Sequence, residues 1–166
     1  LMSPRGRRLD QALVRELAAE EDLALVCARY EGVDQRIEDT LITDEISIGD
    51  YVLSGGELPA LVLIEAVSRM LPGVVGKWES VETDSFYNGI LGPPQYTRPP
   101  VFREKEVPGV LREGNHGAIR RWRRKEALRA TWRRRPDLLV KLNDEDNELL
   151  AEIARECGED LKEMDK

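Results

Sequence analysis

A pair of glycines precedes a predicted helix in the segment Ser54-Gly55-Gly56-Glu57, and such a pair lets the backbone approach a bound ligand closely. The segment is not a Walker phosphate loop, because no Gly-Lys-Ser/Thr follows, and it lacks the GxGxxG spacing of a dinucleotide site. Glu57 at the helix start would also repel a phosphate. The loop therefore favours a ligand held by backbone amides and carbonyls, such as S-adenosylmethionine. An ordinary strand–turn–helix corner is the alternative interpretation.

Two other segments carry groups that could act in a binding site. Arg29-Tyr30-Glu31-Gly32 follows a short apolar run, and loops at the carboxyl ends of buried parallel strands form ligand crevices. Asp84 lies in the acidic segment 82–86, where a carboxylate could take a proton from a substrate. A surface turn and a solubilising acidic loop are the simpler interpretations of these two segments.

The charge of the chain is distributed unevenly. The formal net charge is −7, yet residues 120–135 contain nine basic side chains and one acidic one, Glu126. That segment therefore carries +8 and the remainder −15. An acidic body with one strongly basic helix indicates a polyanionic partner such as a nucleic acid. A solvated helix without a partner is the alternative.

Composition excludes several classes of protein. No apolar stretch has the roughly 20 residues of a membrane span, and the basic residues 1–8 lead into no apolar segment typical of a secretory signal. Cys27 and Cys157 lie in dissimilar contexts, which argues against a disulfide framework and fits a reducing cytoplasm. With His116 as the single histidine, the sequence offers no convincing metal-ligand set.

The predicted elements indicate part of an α/β domain followed by helices. Helices are predicted over 9–20, over 57–71, from 115 or 117 to 134, and over 144–157, the last with Leu149, Leu150 and Ile153 inward. Strands are predicted over 23–28, buried on both faces, and over 40–43 and 45–53, and residues 1–4 are expected to be the end of a strand. Residues 74–98 are typical of a mobile linker or lid, and the charged tail 158–166 is expected to fray.

Several motifs, in order over residues 3 to about 140, resemble one family. They are Ser3-Pro4-Arg5-Gly6, Arg29-Tyr30-Glu31-Gly32-Val33-Asp34, 45–57, Leu71-Pro72-Gly73-Val74, Asp84-Ser85-Phe86, Pro94-Gln95-Tyr96-Thr97-Arg98-Pro99, Gly114-Asn115-His116 and Ile119-Arg120-Arg121-Trp122-Arg123. The family is that of the bacterial TrmD-type tRNA (guanine-N1)-methyltransferases, of the SPOUT or trefoil-knot class, which modify guanosine 37 beside the anticodon.

The resemblance implies an α/β fold: the C-terminal part of a SPOUT trefoil-knot parallel-sheet domain, followed by a small helical domain. The knotted part would cover residues 1–75, a flexible linker or lid 76–89, and a helical tRNA-binding domain 90–166. The implied cofactor is S-adenosylmethionine, bent within the knot loops. Its expected contacts are Ser3, Pro4, Ala28, Tyr30, Glu31, Gly32, Ser47, Ile48, Gly49, Tyr51, Leu53, Gly55, Gly56 and Pro59.

The same resemblance implies catalytic and partner roles. Asp84 would be the general base that takes the proton from guanine N1, and Arg69 the cation that stabilises charge on the guanine carbonyl oxygen. The active site would form at a homodimer interface, in the cytoplasm, with magnesium assisting the reaction. The residues expected to contact tRNA are His116, Arg120, Arg121, Arg123, Arg124 and Lys125.

The chain departs from the family pattern in two places. The elements of roughly the opening third of the family are absent, so we expect either a fragment or strands supplied from elsewhere, since two or three strands are few for a βα sheet. Ala28 stands where the family usually has glycine. A non-catalytic tRNA-binding fragment is therefore the main alternative to an active enzyme. A small-molecule enzyme with a glycine loop and an acidic lid is a third interpretation.

Overall fold

Two short parallel strands, β1 (Met2–Arg8) and β2 (Ile46–Ser47), lie at the centre of the first part of the chain in the computed structural model. The structure describes residues 1–158. These divide into one compact unit, Leu1–Trp78, and a second that begins at Glu79. The division falls within the predicted linker 76–89, and the tail 159–166 lies outside the described residues.

The pairing of β1 with β2 is interrupted by an irregularity between Met2 and Arg7. Ile46 is the partner of both of those residues, so β1 bulges between them. Gly6 lies in the bulge, where a Cβ atom would fall on the backbone of Glu45 and Ile46. Only glycine therefore allows strands β1 and β2 to approach so closely at this point.

Three helices complete the first unit: α1 (Gln11–Leu17), α2 (Gln35–Leu41) and α3 (Glu57–Ser68). Asp10 caps α1 by accepting the Leu13 N–H at 2.8 Å, so the helix begins after the predicted start at residue 9. Asp34 caps α2 in the same way through the Arg36 N–H at 2.9 Å. The predicted helix 57–71 is confirmed at its start and is three residues shorter at its end.

The core of this unit joins β1, β2, α1 and α3. Its buried members are Met2, Leu13, Val14, Ile46, Ala60, Leu63 and Val67. The other side of α3 is apolar as well, but Leu58, Leu61, Val62 and Ile64 are each about half exposed or more. The helix thus buries one apolar stripe and leaves a second one uncovered in the single chain.

The strand predictions for this unit were correct only in part: a strand is confirmed at residues 2–4, within β1, and β2 lies inside the predicted segment 45–53. Residues 23–28 form no strand: Cys27 makes one isolated parallel bridge to Met2, and Leu23 and Val26 are 41% and 37% exposed. An apolar run becomes a buried strand only with continuous pairing on both sides. Among the described residues this run makes isolated contacts instead, with Met2 on one side and with Gly56 through the Ala28 carbonyl on the other. The strands predicted over 40–43 and 45–53 are not formed at full length, because α2 extends to Leu41 and a turn ends β2 after Ser47.

The second unit contains a hairpin and two long helices. A short helix, α4 (Trp78–Glu82), crosses the division between the units. The unpredicted hairpin pairs β3 (Val101–Phe102) with β4 (Lys105–Glu106). The helices α5 (His116–Arg134) and α6 (Asp144–Cys157) confirm the two predicted C-terminal helices, and 3₁₀ turns occupy Gly109–Leu111 and Pro136–Leu138. None of the helices within residues 1–158 combines the length and apolarity that a membrane crossing requires.

The packing of α5 on α6 forms the core of this unit. The buried apolar residues are Ile90, Ala127, Leu128, Leu149, Leu150 and Ile153, so the predicted inward face of α6 is confirmed. Thr131, fully buried on α5, donates to the Ala127 carbonyl at 2.7 Å and accepts the Leu91 N–H at 3.0 Å. This hydroxyl therefore fixes the segment that follows Asp84 to α5.

An ion pair at the edge of this core joins the two helices. Arg124 on α5 donates from Nε and from a terminal guanidinium nitrogen to the two carboxylate oxygens of Asp146, both at 2.7 Å. Asp146 is 2% exposed and also completes the capping box of α6 with Asn143. The two-point geometry fixes the rotation of the helices relative to each other.

We expect Asp146→Asn to lower the free energy of unfolding by about 2–3 kcal/mol, because it leaves the guanidinium of Arg124 without its anionic partner. Asp144→Asn is the matched control: it makes the same chemical change in the exposed first turn of α6 and should cost less than about 1 kcal/mol. Urea denaturation followed by circular dichroism measures both. Equal losses would show that the charge at the helix terminus matters and the contact with Arg124 does not.

Candidate functional site

Three separated segments of the first unit are joined by short contacts. The Met2 N–H donates to the Val26 carbonyl at 3.0 Å, and the Gly56 N–H donates to the Ala28 carbonyl at 3.0 Å. Next to the second bond, Arg29 Nε donates to Glu57 Oε1 at 2.7 Å. The start of β1, the segment after residue 26 and the glycine loop before α3 therefore meet at one place.

A cavity of about 350 Å³ opens where these segments meet. All fourteen residues expected to contact the cofactor line it: Ser3, Pro4, Ala28, Tyr30, Glu31, Gly32, Ser47, Ile48, Gly49, Tyr51, Leu53, Gly55, Gly56 and Pro59. Its volume lies in the range of small-molecule and cofactor sites. Ala28 has no positive φ, so a methyl group in place of the family glycine adds no backbone strain there.

The wall formed by residues 47–51 is a tight turn held by one buried hydroxyl. Ser47 Oγ donates to the Gly49 carbonyl and accepts the Gly49 N–H, both at 3.1 Å. Gly49 has φ of +149°, and a Cβ atom there would lie 2.6 Å from the ring of Tyr51. Glycine is thus required both by the backbone conformation and by the aromatic ring packed over it.

The charged groups around the cavity are mostly paired with one another. Arg5 donates to Glu38 at 2.5 Å, and Arg29, another lining residue, pairs with Glu57. The backbone amide of Glu57 and the guanidinium of Arg29 hold the pKa of the Glu57 carboxyl below its usual value. Within residues 1–158, Glu31 is the lining carboxylate with no cationic partner. The cavity therefore presents backbone groups, apolar side chains and one free negative charge.

Sequence reasoning missed the contribution of α2 to this cavity. Gln35 and Glu38 line it from that helix, for which the sequence predicts no helix and, over residues 40–43, a strand. The available signal was the N-capping Asp34 followed by Ile37 and Leu41, two apolar residues spaced by four. Tyr30 at the rim is fully exposed and adopts φ of +56°, an unusual conformation for a residue with a side chain.

The two predicted catalytic residues lie on different units. Arg69 is half-buried at the end of α3, where its N–H bonds to the Glu65 carbonyl at 3.3 Å. Asp84 is exposed in a turn after α4, where its N–H bonds to the Val81 carbonyl at 3.1 Å. The turn is held by the Phe86 N–H on the Ile90 carbonyl at 2.7 Å and the Gly92 N–H on Ser85 Oγ at 2.8 Å. Arg69 therefore belongs to the first unit and Asp84 to the second.

The predicted RNA-contacting residues of α5 fall into two groups. Arg121, Arg124 and Lys125 face α6: Arg121 pairs with Glu152, and Lys125 Nζ lies 2.9 Å from Glu152 and 2.7 Å from Glu156. His116, Arg120 and Arg123 are exposed, and no acidic partner is found for them within residues 1–158. Sequence reasoning missed this acidic counterpart, although the run Asp144-Glu145-Asp146 and the later glutamates of α6 signalled it.

No group of three or more His, Cys, Asp or Glu side chains that could hold a metal ion occurs in the part of the chain that the structure describes. Cys27 and Cys157 are both free thiols. The candidate site residues therefore consist of the lining of one cavity and Arg69 in the first unit, one exposed aspartate in the second, and the exposed His116, Arg120 and Arg123 on α5.

Comparison with known proteins assigns the family. The family model described as tRNA (Guanine-1)-methyltransferase TrmD matches residues 1–141. The chain belongs to this family. Proteins named tRNA (guanine-N(1)-)-methyltransferase are 59% identical to it in Moorella thermoacetica, 56% in Vibrio atlanticus and 53% in Desulforamulus reducens. These matches cover 96%, 93% and 92% of this chain but 64%, 64% and 61% of those relatives. The chain thus spans less than two thirds of their length.

We expect Gly56→Ala to destabilise this TrmD-family chain by about 1–3 kcal/mol, because the new Cβ would lie 2.8 Å from the Cys27 Cα and 3.2 Å from the Met2 Cβ. Gly76→Ala is the control, since a Cβ atom there meets nothing within 4 Å. It should change stability by less than about 0.5 kcal/mol. Thermal denaturation compares the two, and equal melting temperatures would show that the glycine loop is not closely packed.

The α5–α6 ion pairs predict acid sensitivity of the second unit. Arg121 and then Lys125 lower the pKa of Glu152 from its usual 4.5 to about 2. Arg124 lowers the pKa of Asp146, and Lys125 and Arg129 lower that of Glu156. Since the folded pKa values are depressed, the stabilisation is complete above the unfolded values and is lost as pH falls through the folded ones.

The urea midpoint of α-helix unfolding should therefore fall progressively as the pH is lowered from about 4.5 towards 2 and stay nearly constant above 5. Glu152→Gln should flatten part of that acid dependence, whereas Glu148→Gln, an exposed change on the same helix, should leave it unaltered. A Glu152→Gln profile identical to that of the parent would contradict the assigned ion pairs.

Proposed function

We propose that this chain carries the methyl-donor site and the tRNA-binding unit of an enzyme that transfers a methyl group from S-adenosylmethionine to N1 of guanosine 37 in tRNA. The observation that carries the proposal is the single cavity lined by all fourteen residues that the family motifs select. The family membership and the names of the relatives support the reaction class. We infer a cytoplasmic location, where tRNA is modified.

The cavity fits S-adenosylmethionine by volume, charge and wall chemistry. When bound, this cofactor supplies an electrophilic methyl group on a cationic sulfonium centre. The backbone of Gly49 and Gly55 contributes to the lining, and Ile48, Leu53 and Pro59 provide apolar contact for a ring. The carboxylate of Glu31 lies free at the rim to attract the positive charge of the ligand.

We infer that the loops around residues 3–4, 30–32 and 48–56 form the trefoil knot of the SPOUT class. The contacts of Met2 with Val26 and of Gly56 with Ala28 support this inference, because they draw the same three segments to one cavity. A threaded crossing would keep the loops together without a larger core.

The proposed chemistry depends on removing the proton from guanine N1, which is a poor nucleophile while protonated. Asp84 accepts that proton, and Arg69 stabilises the negative charge that develops on the guanine carbonyl oxygen. The segment 76–89 acts as the lid that carries Asp84 to the nucleotide. Magnesium assists the reaction as an external ion.

A homodimer completes this site in the proposal, with Asp84 of one subunit serving the cofactor cavity of the other. The exposed apolar side of α3, with Leu58 and Leu61 at 62% and 59% exposure, supports a second copy as its cover. Within such an assembly, Asp84 works away from bulk water, which an aspartate needs in order to act as a base near neutral pH.

A non-catalytic tRNA-binding role is the second candidate. It is favoured by the independence of the second unit, whose α5–α6 core is formed without any residue of the cavity. Its exposed groups His116, Arg120 and Arg123 would bind the phosphate backbone whether or not the cofactor site works. Isothermal titration with S-adenosylmethionine separates the candidates, since binding supports the enzyme and absence of binding supports the second role.

We expect Asp84→Asn to reduce methyl transfer to a tRNA transcript by roughly 100-fold or more while the dissociation constant for S-adenosylmethionine stays unchanged. Glu82→Gln is the matched control, because it removes a carboxylate charge two residues away in the same exposed segment and should keep parental turnover. Single-turnover assays with a radiolabelled methyl donor measure both. Parental turnover by Asp84→Asn would remove this aspartate from the mechanism.

A further inference from the structure

A second cavity, of about 410 Å³, lies entirely within the second unit. Its walls come from the segment 94–100, from the region around the 3₁₀ turn at Gly109–Leu111, and from the first half of α5. The Val107 N–H bonds to the Pro100 carbonyl at 2.8 Å and closes the chain around the β3–β4 hairpin. The cavity is therefore built by ordered backbone, and none of its residues belongs to the cofactor cavity.

The charge of this cavity is opposite to that of the whole chain. Arg98, Arg112 and Arg123 line it, and none of its lining residues is acidic, whereas the chain carries a net charge of −7. Arg112 lies 3.4 Å from Glu106, which is outside the lining. Within residues 1–158, Arg98 and Arg123 have no acidic partner, unlike the arginines of α5 that face α6. Two guanidinium groups are thus available to bind an anion.

The other walls favour a planar organic group over a simple anion. Tyr96 lines the cavity and is 46% exposed, and its ring centroid lies 6.1 Å from that of Trp122, which supports it from α5. Val107, Leu111 and Ile119 add an apolar surface. Cationic groups beside an exposed aromatic ring and an apolar wall are the combination that binds phosphate and an unstacked base together.

We propose that this cavity binds one unstacked nucleotide of an RNA chain, with its phosphate at Arg98 and Arg123 and its base against Tyr96. The proposal rests on the proposed function in one respect, namely that RNA is the partner. Arg123 lies one helical turn after the exposed Arg120, so the cavity continues the cationic surface of α5. A chain bound along α5 can therefore place one of its nucleotides in the cavity.

The test is fluorescence anisotropy with a labelled single-stranded RNA and with a tRNA transcript, using the full chain without any methyl donor. The double variant Arg98→Gln/Arg123→Gln should weaken binding by about tenfold or more. It should also reduce the slope of log affinity against log salt concentration by the amount expected for about one to two phosphate contacts. Arg134→Gln is the matched control, because it removes an exposed arginine of the same helix outside the cavity and should have less than about a threefold effect.

The aromatic contact is tested separately. Tyr96→Ala should weaken binding by roughly 5- to 150-fold, and Tyr96→Phe should restore it, because the ring stacks and the hydroxyl does not. An RNA with an abasic nucleotide at the position that enters the cavity should bind the parent more weakly by the same factor. The same RNA should bind Tyr96→Ala no more weakly than the unmodified RNA does. Thermal denaturation of each variant confirms that it is folded.

The proposal would be overturned by parental affinity in the double arginine variant, by an equal loss in the Arg134→Gln control, or by competition from inorganic phosphate or a phosphopeptide as strong as that from RNA. Binding of free AMP as tight as that of RNA would assign the cavity to a mononucleotide and also reject it. Methyl transfer by the parent chain is measured in parallel. If RNA binding depends on the cavity but no methyl transfer is observed, the proposed function alone is rejected. If methyl transfer is observed but RNA binding does not depend on the cavity, this inference alone is rejected.

Discussion

The close approach of the glycine loop to the segment after residue 26 is the constraint on which the cavity of the first unit depends. The Gly56 N–H bonds to the Ala28 carbonyl, and the missing side chain of Gly56 leaves room for the backbone of Cys27 and the side chain of Met2. Without this contact, α3 could not begin beside β1, and the walls of the cavity would separate. One glycine therefore couples the packing of the first core to the geometry of the site.

The second unit solves a different problem, the stability of a helix with many like charges. In α5, arginine and lysine side chains repel one another, and α6 offsets that repulsion with Asp146, Glu152 and Glu156. The cationic side chains of α5 therefore fall into two groups, those that face α6 and those that do not. Those facing α6 hold the fold, while no acidic partner is found for Arg120 and Arg123 within residues 1–158. The net charge of a segment in the sequence therefore overstates the number of its cationic groups that are free of an acidic partner.

Pattern reasoning succeeded where short-range physics dominates. The helices α5 and α6 follow from caps at Asn115 and Asn143, from apolar spacing and from the breaking residue Pro136. It failed for residues 23–28, because an apolar run becomes a strand only when other strands lie beside it. It also missed α2, where a capping aspartate and two apolar residues gave a weak signal within a polar segment.

By itself, the sequence determined the family and the positions of the longest helices, since caps and ordered motifs are local properties. The fourteen residues expected to contact a cofactor followed from the family resemblance and stay a prediction. Only the tertiary structure decided that those fourteen residues share one cavity, that Arg121, Arg124 and Lys125 are held by α6, and that Arg98 and Arg123 meet Tyr96 at a second cavity. The physical reason is that charge pairing and cavity formation depend on which segments become neighbours. Residues 98 and 123, or 28 and 56, become neighbours only after the helices and loops between them have packed.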